Sequence, residues 1–188
     1  MSPAAGEPAP VRLRTKSAHD TRAMGAALAR GLRPGDVVLL AGDLGSGKTT
    51  LAQGIAAGLG VADHVTSPTF TLVRSYPVPP RAGEGDGVEG DGVEGIPPVR
   101  TFLHADLYRL EHLGEVADLA IGELVEDDAV AVVEWGDVAE PVLGRDALTV
   151  RLSPDEHEDQ RRVTIDLARS WGTRRDELAH LLCQWATS

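Results

Sequence analysis

Gly42-Asp-Leu-Gly-Ser-Gly-Lys-Thr49 is the stretch whose reading decides the fold. Before it runs Asp36-Val-Val-Leu-Leu-Ala41, an apolar segment of the kind found in a parallel strand buried on both faces. After it, Thr49 to Leu59 reads as a helix that Gly60 terminates. A strand, a glycine-rich turn and a helix in that order bring successive backbone N–H groups together at a helix N-terminus, where they can surround phosphate oxygens. Gly42, Gly45 and Gly47 permit close approach, Lys48 reaches the β- and γ-phosphates, and the Thr49 hydroxyl ligates magnesium. Thr50 is placed to donate to the α-phosphate. The expected nucleotide contacts are therefore Asp43, Leu44, Gly45, Ser46, Gly47, Lys48, Thr49 and Thr50. Gly-x-Gly-x-x-Gly is absent, which disfavours a dinucleotide. Guanine readers use an Asn-Lys-x-Asp element and this chain has no Asn, so ATP is favoured over GTP.

Outward from this loop the chain alternates strands and helices. Val11, Leu13 and Thr15 alternate with arginines as in a half-buried strand. A helix capped by Ser17 or Asp20 follows, with a stripe of Met24, Ala27 and Leu28 and a stop at Gly31 and Pro34. Thr69 to Tyr76 is strand-like, and Val99 to Ala105 is an apolar strand ending at Asp106. Glu115 to Asp127 is predicted helical with a break near Gly122, and Ala129-Val-Ala-Val-Val133 is a buried strand ending at Glu134. Leu148 to Leu152 and Arg162 to Leu167 form a hairpin, and Arg174 to Trp185 is an amphipathic closing helix. The expected fold is α/β, a three-layer P-loop architecture with a central mostly parallel sheet, antiparallel strands at its edges and a C-terminal helix.

The 188 residues suit one domain, residues 11–187, preceded by a disordered tail over 1–10. Pro77 to Pro98 changes abruptly to Gly, Pro, Glu and Asp and repeats Gly-Asp-Gly-Val-Glu. Too little apolar surface is available there to offset the entropy of ordering, so 77–98 reads as a disordered acidic insertion. With 42% hydrophobic and 25% charged residues and no run of ~18 apolar residues, a membrane span is not expected. The N-terminus lacks a secretion signal and there is one cysteine, which points to the cytoplasm. Cys183, beside Leu181, Leu182 and Trp185, reads as a buried thiol. The net charge of −11 disfavours direct binding to DNA or to an RNA backbone, so contact with RNA should pass through a partner.

Asp106 and Glu134 each end an apolar strand, and in an open parallel sheet the ligand crevice lies beyond the carboxyl ends of the strands. One carboxylate there can hold magnesium with Thr49, while the other orients an attacking water. Lys48, Asp106 and Glu134 are thus the candidate catalytic residues, and Thr49 and Glu134 the candidate metal ligands. Asp106 also fits a cap for the turn Leu107-Tyr-Arg, Glu134 fits a surface residue ending its strand, and His104 is given no role. Ser67, Pro68, Thr69 and Thr71 fit a switch segment that senses the γ-phosphate, or an ordinary capped turn. Trp135 fits a stacking residue or a filler of the sheet edge, and Arg109 a phosphate sensor or a surface ion-pair residue.

The ordered motifs Gly42 to Thr50, Ser67-Pro-Thr-Phe-Thr-Leu72, His104-Ala-Asp-Leu-Tyr-Arg-Leu110 and Val132-Val-Glu-Trp135 together resemble the TsaE (YjeE) family, over about residues 11–187 without the insertion. The resemblance implies a bacterial cytosolic ATPase needed for N6-threonylcarbamoyladenosine at position 37 of tRNAs reading codons that begin with A. It implies docking on a pair of TsaD and TsaB homologues, with tRNA met only through that complex, and ATP hydrolysis that resets it. By similarity Lys48 and the loop amides bind the phosphates of ATP, Thr49 and Glu134 hold Mg²⁺, and Asp106 supports hydrolysis. Ser67 to Thr71 would be the switch, and Tyr108, Arg109 and Trp135 are linked to partner or nucleotide. The insertion at Pro77 to Pro98 exceeds the family's usual connection. The adenine is expected near Ser17 to Thr21 and Glu158. A small-molecule kinase and a nucleotide-sensing adaptor use the same cradle and stand as alternatives.

Overall fold

A computed structural model describes residues 9–68, 72–80, 98–110, 113–125 and 128–187. Its frame is a seven-stranded sheet of order β1-β7-β6-β2-β5-β4-β3. The strands are β1 (Val11–Thr15), β2 (Val37–Ala41), β3 (Val73–Pro77), β4 (Thr101–Asp106), β5 (Ala129–Glu134), β6 (Leu148–Pro154) and β7 (Arg161–Leu167). The central pairs β4–β5, β5–β2 and β2–β6 are parallel. The outer pairs β1–β7, β7–β6 and β3–β4 are antiparallel. The fold is the expected α/β arrangement.

β2 and β5 are apolar up to Glu134 at the end of β5 because helices cover both of their faces. Val38 and Leu40 of β2, with Val130 and Val132 of β5, join the core under α1 (Ala18–Ala29) and α2 (Lys48–Leu59). Their neighbours Val37, Leu39, Ala131 and Val133 point the other way, toward α3 (Leu113–Asp118), α4 (Ile121–Leu124) and α5 (Gly136–Leu143). This alternation decides the placement of the polar residues. His104 and Asp106 share the face of Phe102, and Glu134 shares that of Val132, so all three belong to the α2 side.

Helix α1 begins at the Ser17 cap, whose Oγ accepts the Asp20 N–H at 3.1 Å, and α2 ends at Gly60 in the left-handed region. Several local expectations change. The break in the 115–127 stretch falls at Ala120, with φ 47°, and Gly122 lies inside α4. The closing segment is a 3-10 turn over Arg169–Arg174, the short α6 (Arg175–Leu181) and a second 3-10 turn over Cys183–Trp185. Cys183 is exposed, because Leu182 and Trp185 take the inward positions of that turn. Pro77 pairs with Thr101, and the Val78 N–H donates to the Arg100 carbonyl at 2.8 Å, so these first residues of the 77–98 stretch extend the sheet. Pro77 is tolerated because β3 is an edge strand. Residues 1–8 of the tail and 81–97 of the insertion lie outside the described residues. No helix among the described residues is long and apolar enough to cross a membrane.

The C-terminal segment closes on the first strand. Leu13 bridges Ala186, and the Thr187 N–H donates to the Arg12 carbonyl at 3.2 Å. The Trp185 indole N–H reaches Asp20 at 2.7 Å, tying the same segment to the start of α1.

Candidate nucleotide site

The loop between Ala41 and Lys48 leaves β2 in the middle of the sheet, where the chain passes from one side of the strand order to the other. Gly42 has φ 139°, and a Cβ there would stand 2.3 Å from the Leu152 carbonyl oxygen. Gly47 caps α2 with φ 101°, a conformation side-chain-bearing residues rarely adopt. Asp43, Leu44 and Gly45 form the exposed rim, with Leu44 83% exposed, while Ser46 and Lys48 are buried. Thr49 and Thr50 sit half-buried in the first turn of α2.

The Lys48 ammonium donates to the Gly42 carbonyl at 2.7 Å and the Asp43 carbonyl at 2.9 Å. It also stands 3.9 Å from the centre of the Trp135 ring. Burial lowers its pKa below the usual lysine value, against the opposing pull of the Glu134, Asp137, Asp106 and Asp43 carboxylates. Trp135 reaches the lysine because its own backbone turns into the left-handed region, with φ 60°, directly after Glu134. Tyr108 packs against the same indole, with ring centres 4.9 Å apart. Strain in a non-glycine residue persists where its surroundings fix it, and it clusters at functional sites.

Glu134 is held at both oxygens. Oε2 accepts the Thr49 hydroxyl at 2.8 Å, and Oε1 lies 2.9 Å from His104 Nε2. His104 is fully buried and its Nδ1 meets no partner, so the tautomer protonated at Nε2 gives its N–H to the carboxylate and leaves only a lone pair unmatched. Asp106 pairs in register with Glu134 on the adjacent strand. Its Oδ1 accepts the Tyr108 N–H at 3.0 Å, which is the turn cap, and its Oδ2 accepts the Ser67 hydroxyl. The cap considered for Asp106 is therefore present, and the Ser67 hydroxyl holds its other oxygen. Its N–H donates to the Leu72 carbonyl at 2.9 Å, and the Leu72 N–H to that of Pro68 at 2.9 Å. These bonds fasten both ends of the switch candidate to β4, while Thr69 and Thr71 lie outside the described residues. Arg109 is exposed in the turn beyond β4.

This donor set fits a magnesium ion. Mg²⁺ usually takes one or two carboxylate or hydroxyl ligands and completes its shell with waters and substrate phosphates. Thr49 and Glu134, already in contact, would supply that pair. Among the described residues no group of three or more His, Cys, Asp or Glu side chains forms an all-protein metal cage.

The family model for the threonylcarbamoyl adenosine biosynthesis protein TsaE matches residues 15–163. The chain belongs to the TsaE family. It is 40% identical to the tRNA threonylcarbamoyladenosine biosynthesis protein TsaE of Streptomyces coelicolor, over 81% of this chain and 94% of that protein. Identity to the TsaE of Bacillus subtilis is 36%, over 79% and 82% of the two chains. The crystal structure of Bacillus subtilis YdiB aligns with a TM-score of 0.66 and 28% identity over 92% of this chain and 95% of that one.

Sequence reasoning missed two residues that touch the site. His104 was legible from alternation, since it stands two residues before Asp106 on one strand and so faces the same way. The other is Arg161, whose Nε donates to the Ser46 carbonyl at 2.9 Å. A side chain that binds main-chain oxygens of a remote loop carries no sequence signal.

Proposed function

We propose that this chain is a magnesium-dependent ATPase, weak alone, that serves N6-threonylcarbamoyladenosine formation at position 37 of tRNAs reading ANN codons, acting in the cytoplasm on a complex of TsaD and TsaB homologues. The carrying observation is the contact of the Thr49 hydroxyl with Glu134 at the foot of a loop whose lysine is buried. Lys48 and the loop amides would take the β- and γ-phosphates of ATP, and Thr49 and Glu134 would hold Mg²⁺. The ion, when bound, supplies charge neutralisation at the phosphate oxygens. Burial strengthens the attraction between Lys48 and those oxygens by lowering the local dielectric. Asp106 would orient the attacking water and accept its proton. The bonds from Tyr108 and Ser67 fix the orientation of its carboxylate on the rim. Ser67, hydrogen-bonded to Asp106, would couple the switch segment to the state of the phosphates.

The test is reconstituted tRNA modification with TsaD and TsaB homologues, comparing wild type with Lys48→Ala, Asp106→Ala and Glu134→Ala. Each variant is expected to lose multiple turnover by roughly 100-fold or more. If all three sustain turnover like wild type, the ATPase mechanism is wrong. Efficient phosphorylation of a metabolite by the wild type without partners would put a kinase in its place.

A further inference from the structure

The β6–β7 hairpin backs the phosphate loop, and one of its side chains makes the connection. Arg161 opens β7, in register with Pro154 of β6 and Thr15 of β1. Its Nε donates to the Ser46 carbonyl at 2.9 Å, and its Nη2 to the Gly45 carbonyl at 3.3 Å. Nη1 donates to the carbonyls of Glu158 at 2.6 Å and Gln160 at 2.8 Å. A Cβ added to Gly47 would meet Arg161 Nε and Leu152 Cδ2, both at 3.8 Å, so the hairpin lies directly against the loop. One guanidinium thus clasps two segments 115 residues apart, using the fork of donors that lysine lacks.

In a trans peptide the C=O and the next N–H point in opposite directions. Pinning the Ser46 carbonyl on the hairpin side therefore turns the Gly47 N–H to the other side. The longer contact at Gly45 acts likewise on the Ser46 N–H, which the Asp43 carbonyl receives at 3.1 Å. We propose that Arg161 is a positioning residue for the phosphate loop: it fixes the Ser46 carbonyl on the hairpin side so that the Gly47 N–H faces the triphosphate, and its bonds to the Glu158 and Gln160 carbonyls tie that loop to the turn between β6 and β7. This rests on the nucleotide reading above.

Two measurements separate the inference from that reading. The first is amide hydrogen exchange across 42–48 in the free protein, and the second is affinity for the mant derivative of ATP, each on wild type, Arg161→Ala and Arg161→Lys. In Arg161→Ala, exchange over 42–48 is expected to accelerate and affinity to fall roughly 10- to 100-fold. Arg161→Lys should fall between, since an ammonium cannot span both segments. Adding guanidinium ion at tens of millimolar should restore part of the affinity of Arg161→Ala. Wild-type exchange and affinity in a folded Arg161→Ala overturn the proposal. So does an affinity loss that follows global unfolding and that neither lysine nor guanidinium restores. A wild type that binds no mant-ATP, while Arg161→Ala still loosens 42–48, refutes the nucleotide reading and leaves the clasp standing.

Discussion

At the scale of single residues, Glu134 is held at both oxygens, and His104 makes one of those contacts. A carboxylate free to rotate spends part of its time facing away from an ion, whereas the imidazole 2.9 Å from Oε1 leaves Oε2 aimed at Thr49. Outer partners of this kind are worth roughly 10- to 100-fold in metal affinity or activity. His104→Ala is therefore expected to raise the magnesium concentration needed for half-maximal ATP hydrolysis by about tenfold or more. A magnesium titration of the ATPase rate checks this, and an unchanged midpoint would show that Glu134 holds itself. Lys48 illustrates the opposite balance. Its lowered pKa means that keeping the ammonium charged costs folding free energy, fully below the folded-state pKa and progressively less as pH rises toward the unfolded value. The stability difference between wild type and Lys48→Met, read from urea midpoints, should accordingly shift in favour of wild type between pH 7 and about pH 10.

At the scale of elements, α1 and α2 pack backbone against backbone. A Cβ on Gly54 would stand 2.3 Å from the Arg22 carbonyl oxygen, so the two backbones touch where a methyl has no room. Gly54→Ala is expected to push the helices apart at a cost of roughly 1–3 kcal/mol, measured by urea unfolding. Helix α2 carries Lys48 and Thr49 in its first turn, so a weakened nucleotide affinity should accompany the loss. The elements read from sequence were those with strong periodicity or clear stops, such as α1 with its Ser17 cap and the apolar strands β2, β4 and β5. Helix α5 was invisible because it starts at Gly136 after a left-handed Trp135, lacks a capping side chain and contains Pro141. The break at Ala120 was misplaced by two residues because tertiary packing of Ile121 and Val116 outweighs the flexibility of Gly122.

For the whole molecule, the loop, the two rim carboxylates and the parallel centre with antiparallel edges were legible because they are written in local composition and in strand ends. The contacts joining them were not, since His104 reaches Glu134 across 30 residues and Arg161 reaches Ser46 across 115. The same limit explains Cys183: apolar neighbours in sequence do not say which side of a short 3-10 turn faces inward. Being exposed and the only cysteine, it should react with a thiol reagent in the native protein at the rate of an accessible thiol, one equivalent per chain. Reaction only after denaturation would contradict its placement. The meeting of Ala186 and Thr187 with Arg12 and Leu13 has a broader consequence. Topologically the described fold is nearly a ring, its seam at the margin of the sheet and separated by β7 and β6 from β2, which leads into the phosphate loop. A circular permutant that splices the seam with a short linker and opens between Pro80 and Pro98 would keep every strand pairing while moving the new ends beside β3 and β4.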